Sequence, residues 1–166
     1  RHTLGGRKLL FILGPCVIET PAFTRRMARK LHAICDGEGM DFVFKASYDK
    51  ANRTSGSSFR GTGARDGCEL LAEIGGELGV PVTTDVHTAA EIEIAAPWVD
   101  LIQIPAFLCR QTDLIVAAGA SGCAVNVKKG QFLAPWDVKN IAKKLENTGS
   151  KAFCFTERGT TFGYNN

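Results

Sequence analysis

Leu9-Leu10-Phe11-Ile12-Leu13-Gly14-Pro15-Cys16 is the stretch that decides between two folds. An unbroken apolar run closed by Gly-Pro reads as a short strand buried on both faces, as in a parallel sheet. A doubly wound sheet usually carries a Gly-rich phosphate turn directly after its first strand. Here the strand runs into Gly14-Pro15-Cys16, and Gly61-Thr62-Gly63 follows no apolar run. That fingerprint is absent, and a (β/α)8 barrel is favoured because nearly every strand is followed by reactive polar residues.

Outward from this strand the same pattern repeats. Phe42–Phe44, Val80–Thr84, Leu101–Ile104, Ala124–Val127 and Ala152–Phe155 are short apolar runs suited to strands. Between them lie helical stretches at Pro21–Glu38, Ala64–Leu78, Ala89–Ala96, Thr112–Gly119 and Pro135–Asn147. Ala28, Leu31, His32 and Ile34 are spaced to share one helical face, as are Leu70, Leu71 and Ile74. Pro21 and Pro135 suit first helical turns, and Gly39, Gly79 and Gly149 suit stops. Strand–helix alternation without a linker predicts parallel strands joined by crossover helices. The whole chain, 1–166, reads as one α/β domain: roughly the first six β/α units of a TIM barrel, incomplete at its C-terminus. It lacks an initiator Met and stops at Asn165-Asn166 without a terminal helix, as expected of a fragment.

Composition narrows the function. The 166 residues are 45% apolar and 22% charged, which excludes a disordered chain. A net charge of +3 is too small for a nucleic-acid footprint. No uncharged apolar run approaches the roughly 18 residues of a membrane span. The six cysteines form no C-x-x-C pair, which argues against a zinc ribbon or a thioredoxin-like site. No disulfide framework is needed at this size and no signal peptide is evident, so the expected compartment is a reducing cytosol.

In a barrel the C-terminal strand ends converge on one mouth, where active sites lie. Those ends carry Cys16 and Glu19, then Lys45, Ser47, Lys50, Asn52, Arg53, Thr54 and Ser55, then Asp85 and His87. Gln103 and Arg110, Lys128-Lys129 and Glu157-Arg158 follow. Several cations aimed into one cavity of a near-neutral protein predict a ligand that is a small, multiply charged anion such as a phosphate ester or carboxylate. Lys45, Lys128 and Arg158 either bind that ligand or form structural ion pairs with Asp85 and Glu157. Lys129 alternates with Lys128 and is expected on the structural side. A Schiff-base lysine is the rival chemistry. Asn52 to Ser55 form a polar loop suited to gripping phosphate, or else a plain turn. Cys16 is either a small buried hydrophobe or a metal-ligating thiolate. Cys35 and Cys68 read as packing. His87 reads as a satisfied histidine with catalysis as the alternative, and Asp85 as an orienting group or a lysine partner. Trp98, Trp136 and the phenylalanines are assigned to the core.

An ordered set of motifs resembles the 3-deoxy-D-manno-octulosonate 8-phosphate synthase family, also called 2-dehydro-3-deoxyphosphooctonate aldolase. They are Leu13-Gly14-Pro15-Cys16-Val17-Ile18-Glu19, Phe44-Lys45-Ala46-Ser47-Tyr48-Asp49-Lys50-Ala51-Asn52-Arg53 and Gln103-Ile104-Pro105-Ala106-Phe107-Leu108. Arg110-Gln111-Thr112-Asp113, Asn126-Val127-Lys128-Lys129-Gly130-Gln131-Phe132 and Glu157-Arg158-Gly159-Thr160-Thr161-Phe162-Gly163-Tyr164 complete the set. The resemblance implies a cytoplasmic, homotetrameric transferase of lipopolysaccharide inner-core biosynthesis. It would condense phosphoenolpyruvate with D-arabinose 5-phosphate and release phosphate. It further implies that Lys45, Lys128 and Arg158 hold phosphoenolpyruvate, with Gln103 and Ala106 near it, and that Lys50 lies between the substrates. Asn52, Arg53, Thr54 and Ser55 would hold the sugar phosphate, Arg110 would reach that of a neighbouring subunit, and Asp85 would sit near the reacting centre. Catalysis is thus expected of Lys50, Asp85 and Lys128.

Cys16 matches the divalent-metal-dependent subclass of this family, in which the other ligands, a His, a Glu and an Asp, are expected beyond Asn166. The loop Asn52 to Gly61 departs from the family at Thr54, Gly56 and Ser57, where Ser, an apolar residue and His are common. Two alternatives stay open. One is the related synthase that uses erythrose 4-phosphate in aromatic amino-acid biosynthesis, whose loop typically reads Lys-Pro-Arg-Thr where this chain has Lys50-Ala51-Asn52-Arg53. The other is a truncated, non-catalytic anion-binding module. The 166-residue polypeptide alone is expected to be inactive.

Overall fold

The computed structural model describes residue 6 and residues 8–161. The family-like residues Phe162, Gly163 and Tyr164 and the terminal asparagines lie outside them. The described chain forms two compact units.

The first unit holds the described residues up to 85, with 97–100. Its elements are β1 (Leu10–Leu13), α1 (Pro21–Gly37), β2 (Asp41–Lys45), α2 (Ala64–Leu78) and β3 (Val82–Asp85). The strands are parallel and paired in chain order, with Leu10 opposite Asp41, Leu13 opposite Phe44, and Lys45 opposite Thr83. Chain order without reversal is the barrel pattern; a doubly wound sheet reverses at its switch point. Phe42, Val43 and Phe44 are buried, as are Leu70, Leu71 and Ile74 on the inner face of α2. Each such aliphatic or aromatic side chain contributes about 1.5–3 kcal/mol by leaving water.

Local chemistry sets the helix ends. Thr20 caps α1 by accepting the Phe23 N–H at 3.2 Å, and Pro21 sits in the first turn, where its missing N–H costs nothing. Gly79 ends α2 in the left-handed region, φ 65°, with its N–H on the Gly75 carbonyl. Arg25–Glu73 and Arg29–Glu77 pairs tie α1 to α2 on the surface.

The second unit holds residues 86–96 with the described residues from 101 onward. Its elements are α3 (Ala89–Ala95), β4 (Leu101–Ile104), α4 (Thr112–Ala120), β5 (Ala124–Lys128), α5 (Val138–Glu146) and β6 (Phe153–Thr156). Short 3-10 turns at Ala106–Leu108 and Pro135–Asp137 precede α4 and α5. These strands are again parallel and in chain order, with Gln103 opposite Asn126 and Asn126 opposite Cys154. Both units thus repeat the β/α step of a TIM barrel, and the expected fold class holds for the part present.

Two packing expectations are corrected. Ile34 is 57% exposed, and Cys35 takes the buried position on α1. The apolar stripe rotates by one residue because Ala28 and Cys35 repeat at a seven-residue, two-turn spacing. Trp136 is 72% exposed, and Trp98, Phe59, Phe107 and Phe132 are also exposed, so the aromatics are not uniformly core. These side chains sit in turns and loops outside the regular strand–helix layers, where burial is not enforced.

Candidate functional site

The C-terminal ends of β2 and β3 bring together four polar side chains. Ser47 Oγ donates to Asp85 Oδ2 and accepts from Lys45 Nζ at 3.0 Å and from Lys50 Nζ at 2.8 Å. A hydroxyl has one proton and two lone pairs, so Ser47 is fully used. Asp85 Oδ2 lies 3.2 Å from Lys45 Nζ and 3.7 Å from Lys50 Nζ. Ser47 and Asp85 are buried, and the two lysines are largely covered. Two ammonium groups against one carboxylate leave a formal charge of +1 in a poorly hydrated place, which attracts an anion.

Backbone contacts hold this cluster. The segment after β1 runs along the end of β2, with Val17 bridged to Ser47 and the Ile18 N–H on the Ser47 carbonyl at 2.9 Å. That places Cys16 at the same strand ends, exposed. The packed-hydrophobe reading of Cys16 is therefore set aside, while Cys35 and Cys68 are buried as expected. Gly14 passes so close to β2 that a Cβ would fall 1.8 Å from the Lys45 carbonyl oxygen.

Residues 51–60 form a loop with a closed neck: Lys50 N–H reaches the Arg60 carbonyl at 2.8 Å, and Asp49 pairs with the Arg60 guanidinium. Asn52, Arg53, Thr54 and Ser55 all lie on it, exposed. Ser55 and Ser57 hydroxyls bond at 2.9 Å.

In the second unit Lys128 ends β5, two residues beyond buried Asn126 and so on the same face. Asn126 donates to Gln103 Oε1 at 3.0 Å and accepts from the Thr156 hydroxyl at 2.9 Å. Gln103 is thereby fixed by β5, and Ala106 is buried in the following 3-10 turn. Arg110 and Arg158 are exposed. Asn126 is given no role of its own in the sequence beyond its place in a motif, and Thr156 is missed; the signal is their two-residue spacing from Lys128 and from Arg158.

Lys129 faces away from Lys128 and is 1% exposed. Its ammonium donates to the carbonyls of Gly130 at 3.0 Å, Leu133 at 2.8 Å and Gly159 at 3.4 Å, beside Glu157 at 3.4 Å. The backbone N–H of Gly159 is the largest influence holding the Glu157 carboxyl below its ordinary range, with Lys129 and the Arg158 N–H adding to it. His87 gives its backbone N–H to Glu91 at 2.7 Å and shares its ring Nδ1 with the same oxygen at 3.0 Å. It is a satisfied histidine. Among the described residues no three His, Cys, Asp or Glu side chains gather as a metal site, and no helix is long and apolar enough to cross a membrane.

The repeated parallel β/α steps, with polar and cationic side chains at their strand ends, define the chain as an α/β protein of the (β/α)-barrel class. The chain belongs to the DAHP synthetase I family, whose model matches residues 3–166. Three curated relatives are named 2-dehydro-3-deoxyphosphooctonate aldolase. That of Geotalea daltonii is 56% identical over 98% of this chain and 60% of its own length. Those of Citrifermentans bemidjiense (55%, covering 98% and 59%) and Geobacter sulfurreducens (54%, covering 98% and 60%) match similarly. The chain thus spans about three fifths of the length of these relatives.

Proposed function

We propose that the protein carrying this chain condenses phosphoenolpyruvate with D-arabinose 5-phosphate to 3-deoxy-D-manno-octulosonate 8-phosphate and phosphate. The observation that carries this reading is the Lys45–Ser47–Lys50–Asp85 cluster at the strand ends, a prebuilt cationic seat for anionic substrates. The relatives' shared name supports the choice of substrates. Two phosphorylated substrates repel one another, so fixed cations must hold them before any bond forms.

In the first unit Lys45 is assigned to phosphoenolpyruvate; in the second, Lys128 and Arg158 are assigned to its phosphate and carboxylate, with Gln103 and Ala106. Lys50 neutralises charge between the two substrates, and Asp85 orients both cluster lysines. The exposed loop residues Asn52, Arg53, Thr54 and Ser55 take the sugar phosphate, and Arg110 reaches that of a neighbouring subunit in a homotetramer. C3 of the enol phosphate attacks the aldehyde carbon, water adds its oxygen at C2, and the phosphate leaves with its bridging oxygen. No lysine forms a covalent intermediate. The protein is cytoplasmic and serves lipopolysaccharide inner-core assembly.

Cys16 fits a divalent metal as one accessible soft donor, the remaining ligands coming from outside the described residues. A bound ion would polarise the aldehyde or orient the attacking water. Replacing Cys16→Asn in the full-length protein is expected to remove chelator sensitivity; unchanged sensitivity would exclude Cys16 as a ligand.

Turnover of the full-length protein with each aldose phosphate tests the main reading. Preference for arabinose 5-phosphate is expected, with bridge-labelled phosphoenolpyruvate delivering its ¹⁸O to inorganic phosphate. Preference for erythrose 4-phosphate would transfer the protein to the aromatic amino-acid branch, which the family description also allows. Calorimetry with Lys128→Ala should weaken phosphoenolpyruvate binding at least about tenfold, the loss of one charge-assisted contact. Equal binding by both forms would remove Lys128 from the site, and binding without turnover would leave an anion-binding module.

A further inference from the structure

Lys129 is a fully buried cation that the proposed reaction does not use. Its side chain is 2% exposed, and it pairs with Glu157, 3.4 Å away and largely exposed. Main-chain carbonyls make up the rest of its surroundings. Two belong to the loop leaving β5, at Gly130 and Leu133, and one to the chain leaving β6, at Gly159. Glu157 completes the knot from the other side by accepting the N–H groups of Arg158 at 2.9 Å and Gly159 at 2.7 Å. The Lys129 N–H also reaches the Thr156 carbonyl at 2.9 Å. An ammonium has three protons and is always a donor, so it is suited to gathering carbonyls from two separate loops.

We propose that Lys129 and Glu157 form a clasp that sets the spacing of Lys128 and Arg158, making them positioning residues for the phosphate grip of the second unit. Lys128, the last residue of β5, immediately precedes the clasp, and Arg158 lies inside it, two residues past the end of β6. Lys129 is covered, and the Glu157 oxygen is engaged with the backbone and the ammonium. The clasp restricts where the two anion-binding side chains start, which lowers the ordering cost of binding. The inference rests on the proposed assignment of Lys128 and Arg158 to phosphate.

Inorganic phosphate is the first probe, because it does not depend on which organic phosphate is the substrate. In the full-length protein Glu157→Gln and Lys129→Met are expected to weaken phosphate binding about tenfold, read by calorimetry. They should raise KM for phosphoenolpyruvate by a similar factor while KM for the pentose phosphate stays within about twofold. A merely structural role would lower Tm and disturb both KM values together, and that result overturns the clasp. Glu157 lies at the surface, so Glu157→Gln keeps the test decisive if Lys129→Met fails to fold. Phosphate affinity unchanged in Glu157→Gln also overturns it. Wild-type protein whose phosphate binding depends on the clasp but which does not turn over the two substrates defeats the functional reading alone.

Discussion

Ser47 shows how much a single small side chain can decide. Its hydroxyl joins both cluster lysines to Asp85, so the three charged groups share one geometry. Asp85→Asn removes the carboxylate that both ammonium groups share. That is expected to cost about 3 kcal/mol, as for other pairs broken by removing one partner in a covered site. Ser47→Ala removes hydrogen bonds to three charged groups but leaves the charges beside one another, and should cost about 1.5–3 kcal/mol. Urea denaturation of the two variants checks the ranking, and a larger loss in Ser47→Ala would refute it. The six thiols should also separate by exposure. Iodoacetamide is expected to label Cys16 first, with Cys35, Cys68 and Cys109 protected by burial. Cys154 should be slow because burial pushes its thiol pKa up, leaving less thiolate. Peptide mass spectrometry reads that order.

Glu157 gives the residue scale its pH dependence. Its folded-state pKa lies below the ordinary carboxylate value, so its interactions are present at neutral pH. They disappear as pH falls below about 4 and through the lowered folded value. A side-chain NMR titration should find the Glu157 midpoint below those of exposed glutamates elsewhere in the chain, and an ordinary midpoint would contradict the contacts drawn around it.

At the scale of elements, the glycine before β1's exit turn matters more than any residue inside the strand. A methyl group on Gly14 would overlap the Lys45 carbonyl, a backbone atom that cannot swing aside. Gly14→Ala is therefore expected to destabilise by about 3 kcal/mol, at the upper end of overpacking costs, and to shift Lys45. Thr20→Ala, which removes the α1 cap, should cost about 1 kcal/mol. Thermal melting distinguishes the two.

The elements were largely legible because hydrophobic runs and their Gly and Pro punctuation fix strand and helix existence. Their edges were not. β2 extends to Asp41 and Lys45, and β3 runs from Val82 to Asp85, because ladder hydrogen bonding continues under polar residues that break an apolar pattern. The stretch after Pro135 begins as a 3-10 turn before α5, since the residues around Pro135 cannot supply a full set of i to i−4 bonds. Within the site, Lys45 and Asp85 were legible by position, but their mutual pairing was one of two readings. Choosing between them required knowing that Ser47 stands within reach of both. Exposed Trp136 was illegible, because composition records an aromatic and says nothing of which layer covers it.

For the whole molecule, the rows of apolar residues that remain half-covered point to how the 166-residue polypeptide behaves in isolation. Leu9 is 77% exposed and β1 is only partly buried along its length, although every residue in it is apolar. β6, with Phe153 and Phe155 on it, is likewise only partly buried, whereas β3 and β4 are buried throughout. Partly covered parallel strands are unusual, since such strands normally have both faces packed. They also leave apolar surface of the kind that drives association. The relatives extend well beyond the matched region, and the proposed metal ligands other than Cys16 are not found among the described residues. The isolated polypeptide is accordingly expected to bind the hydrophobic dye ANS, to associate in a concentration-dependent way, and to give no synthase turnover with added divalent metal. The full-length protein should do the reverse on all three counts. Sedimentation, dye fluorescence and a coupled phosphate-release assay on the two polypeptides side by side make the comparison. Metal-dependent turnover by the 166-residue chain would mean that the cationic strand ends described here suffice for catalysis.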